Sequence, residues 1–364
     1  MESRKQVLKR EPALLLAVLL AGSCLMGCGG AGSLTDGKRI IRVAHGQSEE
    51  HPEHLGLLAF KEYVETRLGD QYQVEIYPNE ILGSAQKAIE LTQMGAIDFV
   101  VAGTANLETF DKTYEIFSMP YLFASEEQYQ AFMNDREYME TIYEGTEESG
   151  LQVMTWYNAG TRNFYGKKRI TAPGDLAGMK IRVQQSPASV AMVKAFGAAA
   201  SPMGFGEVYT AIQQGVIDGA ENNELALTNN KHGEVAKYFS YDMHQMVPDM
   251  LIGNRRFLEG LSPEEFQVFK EAAIRSTQVE LKEWELAVEA AKKTAREQMG
   301  VTFIQVDTEK FQQKVQGLQQ EMVERNPKIR EIYERVMMVR KWSEEEPVTD
   351  GTWQVGERER QVVR

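Results

Sequence analysis

From Glu264 to Met299 the chain contains neither proline nor glycine. Ser262-Pro263-Glu264-Glu265 stands just ahead of that run and supplies an N-cap, a proline at the first helical position and the acid of a capping box. A helix of that length reaches about 55 Å at 1.5 Å per residue, more than one small domain is wide. Its apolar positions Phe266, Phe269, Ala273, Trp284, Ala287 and Ala291 keep no clean seven-residue repeat, which argues against a coiled coil. The body outside the N-terminal segment is about 300 residues, enough for two domains.

Ahead of this helix, strand-like and helix-like runs alternate. Arg39–Ala44, Gln73–Tyr77, Phe99–Ala102 and Leu151–Trp156 are β-rich, while Leu55–Leu68 and Ser84–Met94 carry helix-spaced apolar residues. Ser125-Glu126-Glu127-Gln128 opens a further helix. This is the α/β pattern of a mainly parallel sheet covered by helices. The chain is expected to cross into a second domain near Asn158-Ala159-Gly160, and to return near Val247-Pro248 for the strand Met250–Gly253. Two crossings make a hinge, and the cleft between hinged lobes is a natural ligand site. Val301–Val306 reads as a last strand, and Thr308 is expected to cap a helix towards Arg325. The expected division is 38–159 plus 248–285 for lobe I and 160–247 plus 286–345 for lobe II, with 346–364 a disordered tail.

The N-terminal segment is not part of this fold. Arg4, Lys5, Lys9 and Arg10 precede an apolar run from Ala13 to Leu20 that is too short to span a bilayer, and Leu25-Met26-Gly27-Cys28 has the form of a lipoprotein cleavage box. Residues 1–27 read as a signal peptide, Cys28 as the lipidated residue and 28–37 as a flexible tether. The other cysteine, Cys24, would leave with the leader, so the folded body has neither a disulfide nor a cysteine nucleophile. Four basic and two acidic residues leave too, taking the net charge from −13 to −15. Such an anionic body is a poor partner for nucleic acid. An acidic protein that binds an anion needs a local positive cluster, and Arg162, Lys167, Lys168, Arg169, Lys180 and Arg182 supply one; Lys167-Lys168-Arg169 reads as a solvated turn.

Arg182 is the centre of that cluster. In Lys180-Ile181-Arg182-Val183 the residues alternate, so Ile181 and Val183 share one face and Arg182 points the other way. Gln184 and Gln185 follow, then Ser186-Pro187, an N-cap and helix start. Arg182 is thus expected where a strand ends and a helix begins, the end of an α/β sheet that binds ligands and favours anions. Its guanidinium fork offers a carboxylate two parallel bonds, about 1.5–3 kcal/mol each.

The surroundings carry a resemblance. The run from Gly178 (G-M-K-I-R-V-Q), the run from Pro202 (P-M-G-F-G-E-V-Y-T-A-I-Q-Q-G-V-I-D-G-A-E-N-N), Tyr77-Pro78-Asn79 with Leu82-Gly83, Gly95-Ala96-Ile97-Asp98 and Pro120-Tyr121-Leu122-Phe123 occur in order. Together they resemble the substrate-binding proteins of TRAP transporters, the dicarboxylate-binding DctP family, from about Ile40 to about Val306. The resemblance implies a two-lobed periplasmic-binding-protein-like fold, a long helix running along both lobes, and a sodium-coupled membrane permease as partner. It makes Arg182 the main carboxylate ligand, Arg162 an auxiliary one and Asn222 a hydrogen-bond partner of the same carboxylate. Asn223 departs from the family's frequent proline and adds a second amide or a turn residue. Gln184, Glu80, His45 and Gln47 are flanking candidates. Two arginines at one site repel unless an anion lies between them, so ligand should favour closure.

His45, His51 and His54 with Glu49, Glu50 and Glu53 between them raise a metal site, but the spacing is not H-x-x-x-H, and Pro52 suggests a helix start instead. His244 reads as structural. Tyr63, Phe110, Tyr121, Phe123, Trp156 and Met203 read mostly as core. Nucleotide-loop and nucleophile-elbow motifs are absent, no cofactor is implied, and the expectation is a binder rather than an enzyme. The expected protein is lipid-anchored, extracytoplasmic and captures a small organic acid. The lean is to a hexuronate such as glucuronate or galacturonate, because Arg162 within Arg-Asn-Phe-Tyr, the Ile-Arg-Val-Gln-Gln run and Asn222-Asn223 look similar to sugar-acid binders. C4-dicarboxylates, 2-oxo acids, sialic acid and a sensor role for a signalling receptor stay open.

Overall fold

The computed structural model describes residues 34–35 and 37–345. The expected leader, Cys28 and the tail from 346 lie outside them. The first strands are β1 (Leu34–Thr35), β2 (Lys38–Ala44), β3 (Tyr72–Tyr77), β4 (Phe99–Gly103) and β5 (Leu151–Tyr157). Then come β6 (Arg162–Gly166), β7 (Lys180–Val183), β8 (Ala199–Pro202), β9 (Gly219–Asn222), β10 (Tyr238–Gln245), β11 (Asp249–Asn254) and β12 (Thr302–Gln305). They form two sheets. One has the order β1-β2-β4-β11-β5 with β3 beside β2, and the other has the order β12-β10-β6-β9-β7-β8.

Both sheets are mixed rather than mainly parallel. Strands joined through a covering helix are parallel, as in β2–β3, β2–β4 and β7–β8. The strands that carry the chain between sheets pair antiparallel: β4–β11 and β11–β5 in the first sheet, β6–β9 and β6–β10 in the second. A helical crossover forces a parallel neighbour, whereas a strand arriving from the other sheet has no such constraint. The chain leaves the first sheet after Tyr157, enters the second at Arg162, and returns between Gln245 and Asp249.

Helix α1 (Pro52–Leu68) begins at the proline, with the His51 ring accepting from the Glu53 N–H. Helix α2 (Pro187–Ala195) follows β7, and α3 (Pro263–Glu297) is the long element. The capping box forms, with the Ser262 hydroxyl accepting from Glu265 N–H and the Glu265 carboxylate accepting from Ser262 N–H. Near its start α3 buries Phe269, Ala272 and Ala273 against Phe60, Phe99 and Phe257 beside the first sheet. Phe269 stacks on Phe99 at 5.8 Å. Further along, Trp284 and Ala291 pack with Leu225, and Ala295 joins Tyr165 and Phe239 in the core of the second sheet. Complete burial of a side chain such as Phe269 contributes about 1.5–3 kcal/mol. One helix is therefore fastened to both lobes.

The C-terminal helices divide between the lobes. Helix α4 (Thr308–Arg325) packs on α2 and β10, but α5 (Arg330–Glu345) packs on the helix Glu126–Met133 of the first lobe, where Gln128 Nε2 donates to Val336 O at 3.2 Å. The stretch 286–345 is thus not a single second-lobe segment. Asp307 rather than Thr308 is the N-cap of α4, and its side chain makes no capping bond.

Gly56 marks where α1 crosses α3. A Cβ there would stand 2.7 Å from Ser276 O and 3.1 Å from Glu280 Cβ. Ala is the better helix former by about 1 kcal/mol, but forcing two packed helices apart costs about 1–3 kcal/mol. Gly56→Ala should lower the unfolding free energy by up to about 2 kcal/mol in urea titration, against the sign that propensity alone gives.

Candidate functional site

Where β7 runs into α2, Ile181 and Val183 are buried on the core face and Arg182 faces a cleft between the two sheets. The Ser186 hydroxyl caps α2 by accepting from Ser189 N–H at 2.9 Å. Nε and Nη2 of Arg182 donate to Met203 O at 3.2 and 2.9 Å, and the Phe205 ring lies 5.5 Å from the guanidinium carbon. These contacts fix the side chain while Nη1 makes no hydrogen bond among the described residues. Burial lowers the Arg182 pKa; the Glu221 charge opposes that shift and Arg162 adds to it. Arg182 as a residue is 4 % exposed, and among the described residues no carboxylate bonds its guanidinium, which leaves a buried positive charge seeking a partner.

Arg162, at the start of β6, is differently placed. Its Nε donates to Glu221 Oε2 at 2.5 Å, Nη2 to Glu221 O at 2.8 Å, and Nη1 to Asn222 Oδ1 at 3.3 Å. Behind Glu221 stands His244, with Nε2 at 3.5 Å from Glu221 Oε2 and Nδ1 at 2.7 Å from Asp242 Oδ2. Burial alone would depress Arg162, but the charge and bond of Glu221 outweigh it and raise its pKa. Burial opposes ionisation of Glu221 too, yet Arg162 and His244 hold its carboxyl down at about 2. His244 resists burial in the same way, since Asp242 and Glu221 push it up to about 9. Arg162 therefore enters the cleft already neutralised, and the anion between the two arginines is the protein's own Glu221. Asn222 Oδ1 accepts from Arg162 and from Asn223 N–H, so the amide nitrogen is the end free to donate.

The cleft is open at its mouth and takes in about 610 Å³ counted out to it. Arg182, Arg162, Asn222, Asn223, Gln184, Gln47 and Glu80 all line it. His45 does not: it lies behind the wall, donating or accepting at His54 Nδ1 through Nε2 (2.9 Å) and accepting from Gln47 N–H at Nδ1. Asn223 lines the cavity as a turn residue, because its amide donates to Ala159 O and its oxygen accepts from Leu225 N–H. Lys167, Lys168 and Arg169 form an exposed turn away from the site.

Glu80 spans the cleft. It follows β3 in the first lobe, and its carboxylate accepts from Phe205 N–H at 3.2 Å and Gly206 N–H at 2.8 Å in the second. Asn79 and Glu80 sit at φ of +58° and +54°, a left-handed pair that costs about 1–2 kcal/mol per non-glycine residue. That turn aims the Glu80 side chain at the other lobe.

Sequence reasoning missed Glu53, Asp249, Asn106 and Phe205 in the lining, and Glu221 beneath it. Glu53 reads in the sequence as a charge favourable near the start of α1, and in the fold it is 2 % exposed. Asp249 had a usable signal, being the charged first residue of an apolar strand at the return crossing.

Comparison with known proteins gives a consistent result. Residues 43–326 match the family described as bacterial extracellular solute-binding protein, family 7 (DctP). A TRAP periplasmic solute-binding protein from Anaerococcus prevotii, solved with bound α/β-D-glucuronate, is 54 % identical with a TM-score of 0.82, covering 85 % of this chain and 100 % of that one. One from Sulfitobacter sp., solved with β-D-galacturonate, is 31 % identical with a TM-score of 0.78, covering 81 % and 98 %. The uncharacterised Salmonella typhimurium protein YiiZ is 36 % identical over 301 residues, 82 % of this chain and 91 % of that one.

Two outcomes follow from this geometry. His244 gains its proton on folding, so its contribution to stability is fully present below about 6.5 and is lost as pH rises through about 9. Urea unfolding across that range should show an alkaline decline that is absent in His244→Gln. Glu80→Ala removes two charge-assisted bonds between lobes, so it should raise the dissociation constant of a cleft ligand about tenfold or more and increase the unliganded radius of gyration in X-ray scattering.

Proposed function

The chain belongs to the bacterial extracellular solute-binding proteins of family 7, and from that premise we propose that it captures a hexuronate, D-glucuronate or D-galacturonate, for a TRAP-type permease. The observation that carries the reading is the Arg182 guanidinium. It is buried at the end of β7, held by Met203 O and Phe205, and has its outer edge facing a cavity. A carboxylate is the planar anion that fits two parallel N–H donors. Asn222 Nδ2 stands ready as a further donor, and Arg162 serves by fixing Asn222 and supplying a neutralised wall. Gln47, Asn106 and Gln184 add polar, uncharged side chains to the lining, which suit hydroxyl groups. Both solved relatives described above carry hexuronates.

Capture works through differential affinity. A ligand anchored on Arg182 in one lobe and bonded to the wall of the other binds the closed arrangement better than the open one, and shifts the population by that difference. The chemistry required is recognition and release, with no bond of the ligand broken. The protein acts outside the cytoplasm, and we place it at the membrane surface through lipid on Cys28, whose segment lies outside the described residues.

Thermal denaturation of the chain lacking residues 1–27 against a panel of organic acids tests the reading. A ligand at a hundredfold its dissociation constant adds about 2.7 kcal/mol of stability. D-glucuronate or D-galacturonate should give the largest shift, and succinate or malate a smaller one. Arg182→Lys should weaken the best ligand about a hundredfold or more in calorimetry, since an ammonium replaces a fork with a point charge. Unchanged affinity in Arg182→Lys would remove the site assignment.

A further inference from the structure

Besides the arginines, the cleft wall contains a pair of carboxyl groups that the carboxylate-binding reading leaves unused. Glu53 on α1 and Asp249 at the start of β11 come from elements nearly two hundred residues apart. Both line the cavity, and Glu53 is 2 % exposed. Asp249 Oδ1 and Gln184 Nε2 flank Gly103: a Cβ built on Gly103 would lie 3.0 and 2.7 Å from them. The pair is therefore in the same space as the lining that reaches Arg182.

Two buried oxygens on side chains that line this cavity lack hydrogen-bond partners among the described residues, Glu53 Oε1 and Gln184 Oε1. Glu53 Oε1 lies 3.2 Å from His45 Nδ1. That nitrogen already accepts from Gln47 N–H, so it carries no proton to give. Burial keeps His45 neutral, with its pKa down at about 4, and the contact is no ion pair at neutral pH. Burial also pushes Glu53 up to about 7, against a hydrogen bond with Asp249 that favours it ionised, and holds Asp249 well above the usual carboxylate range, where the Glu53 charge and bond add to the shift and Arg162 and His45 oppose it. A carboxyl that burial keeps protonated donates one hydrogen bond as well as accepting, so the two side chains together offer a ligand both functions.

We propose that Glu53 and Asp249 form a specificity-determining subsite that takes the hydroxyl-bearing end of the captured sugar acid and turns away any ligand carrying a second carboxylate there. The inference rests on the hexuronate reading and adds to it. The charges of the cleft support it. Arg162 is matched by Glu221, Glu80 is engaged with the backbone of the second lobe, and Arg182 is the one cation of the lining with no carboxylate bonded to it. A single carboxylate on Arg182 completes that balance. A second one at the far end would lie against a buried acidic pair, with no cation left to separate them. A hydroxyl group, which both donates and accepts, meets Glu53, Asp249 and Gln184 Oε1 without such a penalty.

The test compares D-glucuronate with D-glucarate, which carries a second carboxylate in place of the sugar's C1 hemiacetal, by titration calorimetry at pH 6.5. Wild type should bind glucuronate at least about tenfold more tightly, one unsatisfied or repelled charge being worth that much or more. Glu53→Gln and Asp249→Asn, each neutral and nearly isosteric, should weaken glucuronate and bring the preference down by about tenfold. Thermal melts show whether each variant is folded, and the wild-type preference stands as a measurement without either. Equal affinity of wild type for the two acids, or an unchanged preference in both folded variants, would overturn the subsite while leaving the hexuronate reading intact. A wild-type protein that binds neither acid overturns both.

Discussion

A guanidinium buried without a carboxylate of its own is the constraint that organises this protein. Taking a charge out of water is costly unless a counter-charge comes with it. Arg162 meets that condition internally through Glu221, with His244 and Asp242 behind it. Arg182 does not: it has a backbone carbonyl, an aromatic neighbour and an edge facing the cleft. The same residue type in the same cavity thus has two roles, set by whether Glu221 lies within reach. One arginine is neutralised within the wall, and the other is the one proposed above to take the ligand.

The elements of the fold were largely readable in the chain, because strand alternation, caps and proline-led helix starts are local signals. The strand Lys180–Val183, the helix from Pro187 and the capping box at Ser262 all rest on residues within four positions of one another. What failed was non-local. The antiparallel pairing of β5 and β11 depends on where the chain comes from, which no short window records. The departure of α5 to the first lobe depends on a groove beside Gln128.

In the site, resemblance led to the arginines and amides, and residue chemistry alone ranked several others wrongly. His45 looked like a cleft ligand because it ends β2, but its ring is taken up by His54 and Gln47. Glu53 gave no sign of burial, since a first-turn glutamate is favourable at a helix N-terminus whether or not it is enclosed. Only the packing of α1 against α3 and β3 shows that it is enclosed. Asn223 could not be decided from its type, since an amide suits a turn and a ligand equally, and the answer lay in Ala159 and Leu225.

The long helix has a mechanical side as well. α3 is fastened by Phe269 to one lobe and by Ala295 to the other, with Trp284 beside the crossing at Gly160 between those anchors. A rod pinned at both ends takes up any rotation of its supports as curvature, and helices bend smoothly where no proline or glycine offers a kink. Closing the lobes around a solute would then load this rod like a leaf spring, and the stored flexure would work towards opening when the cargo is handed over.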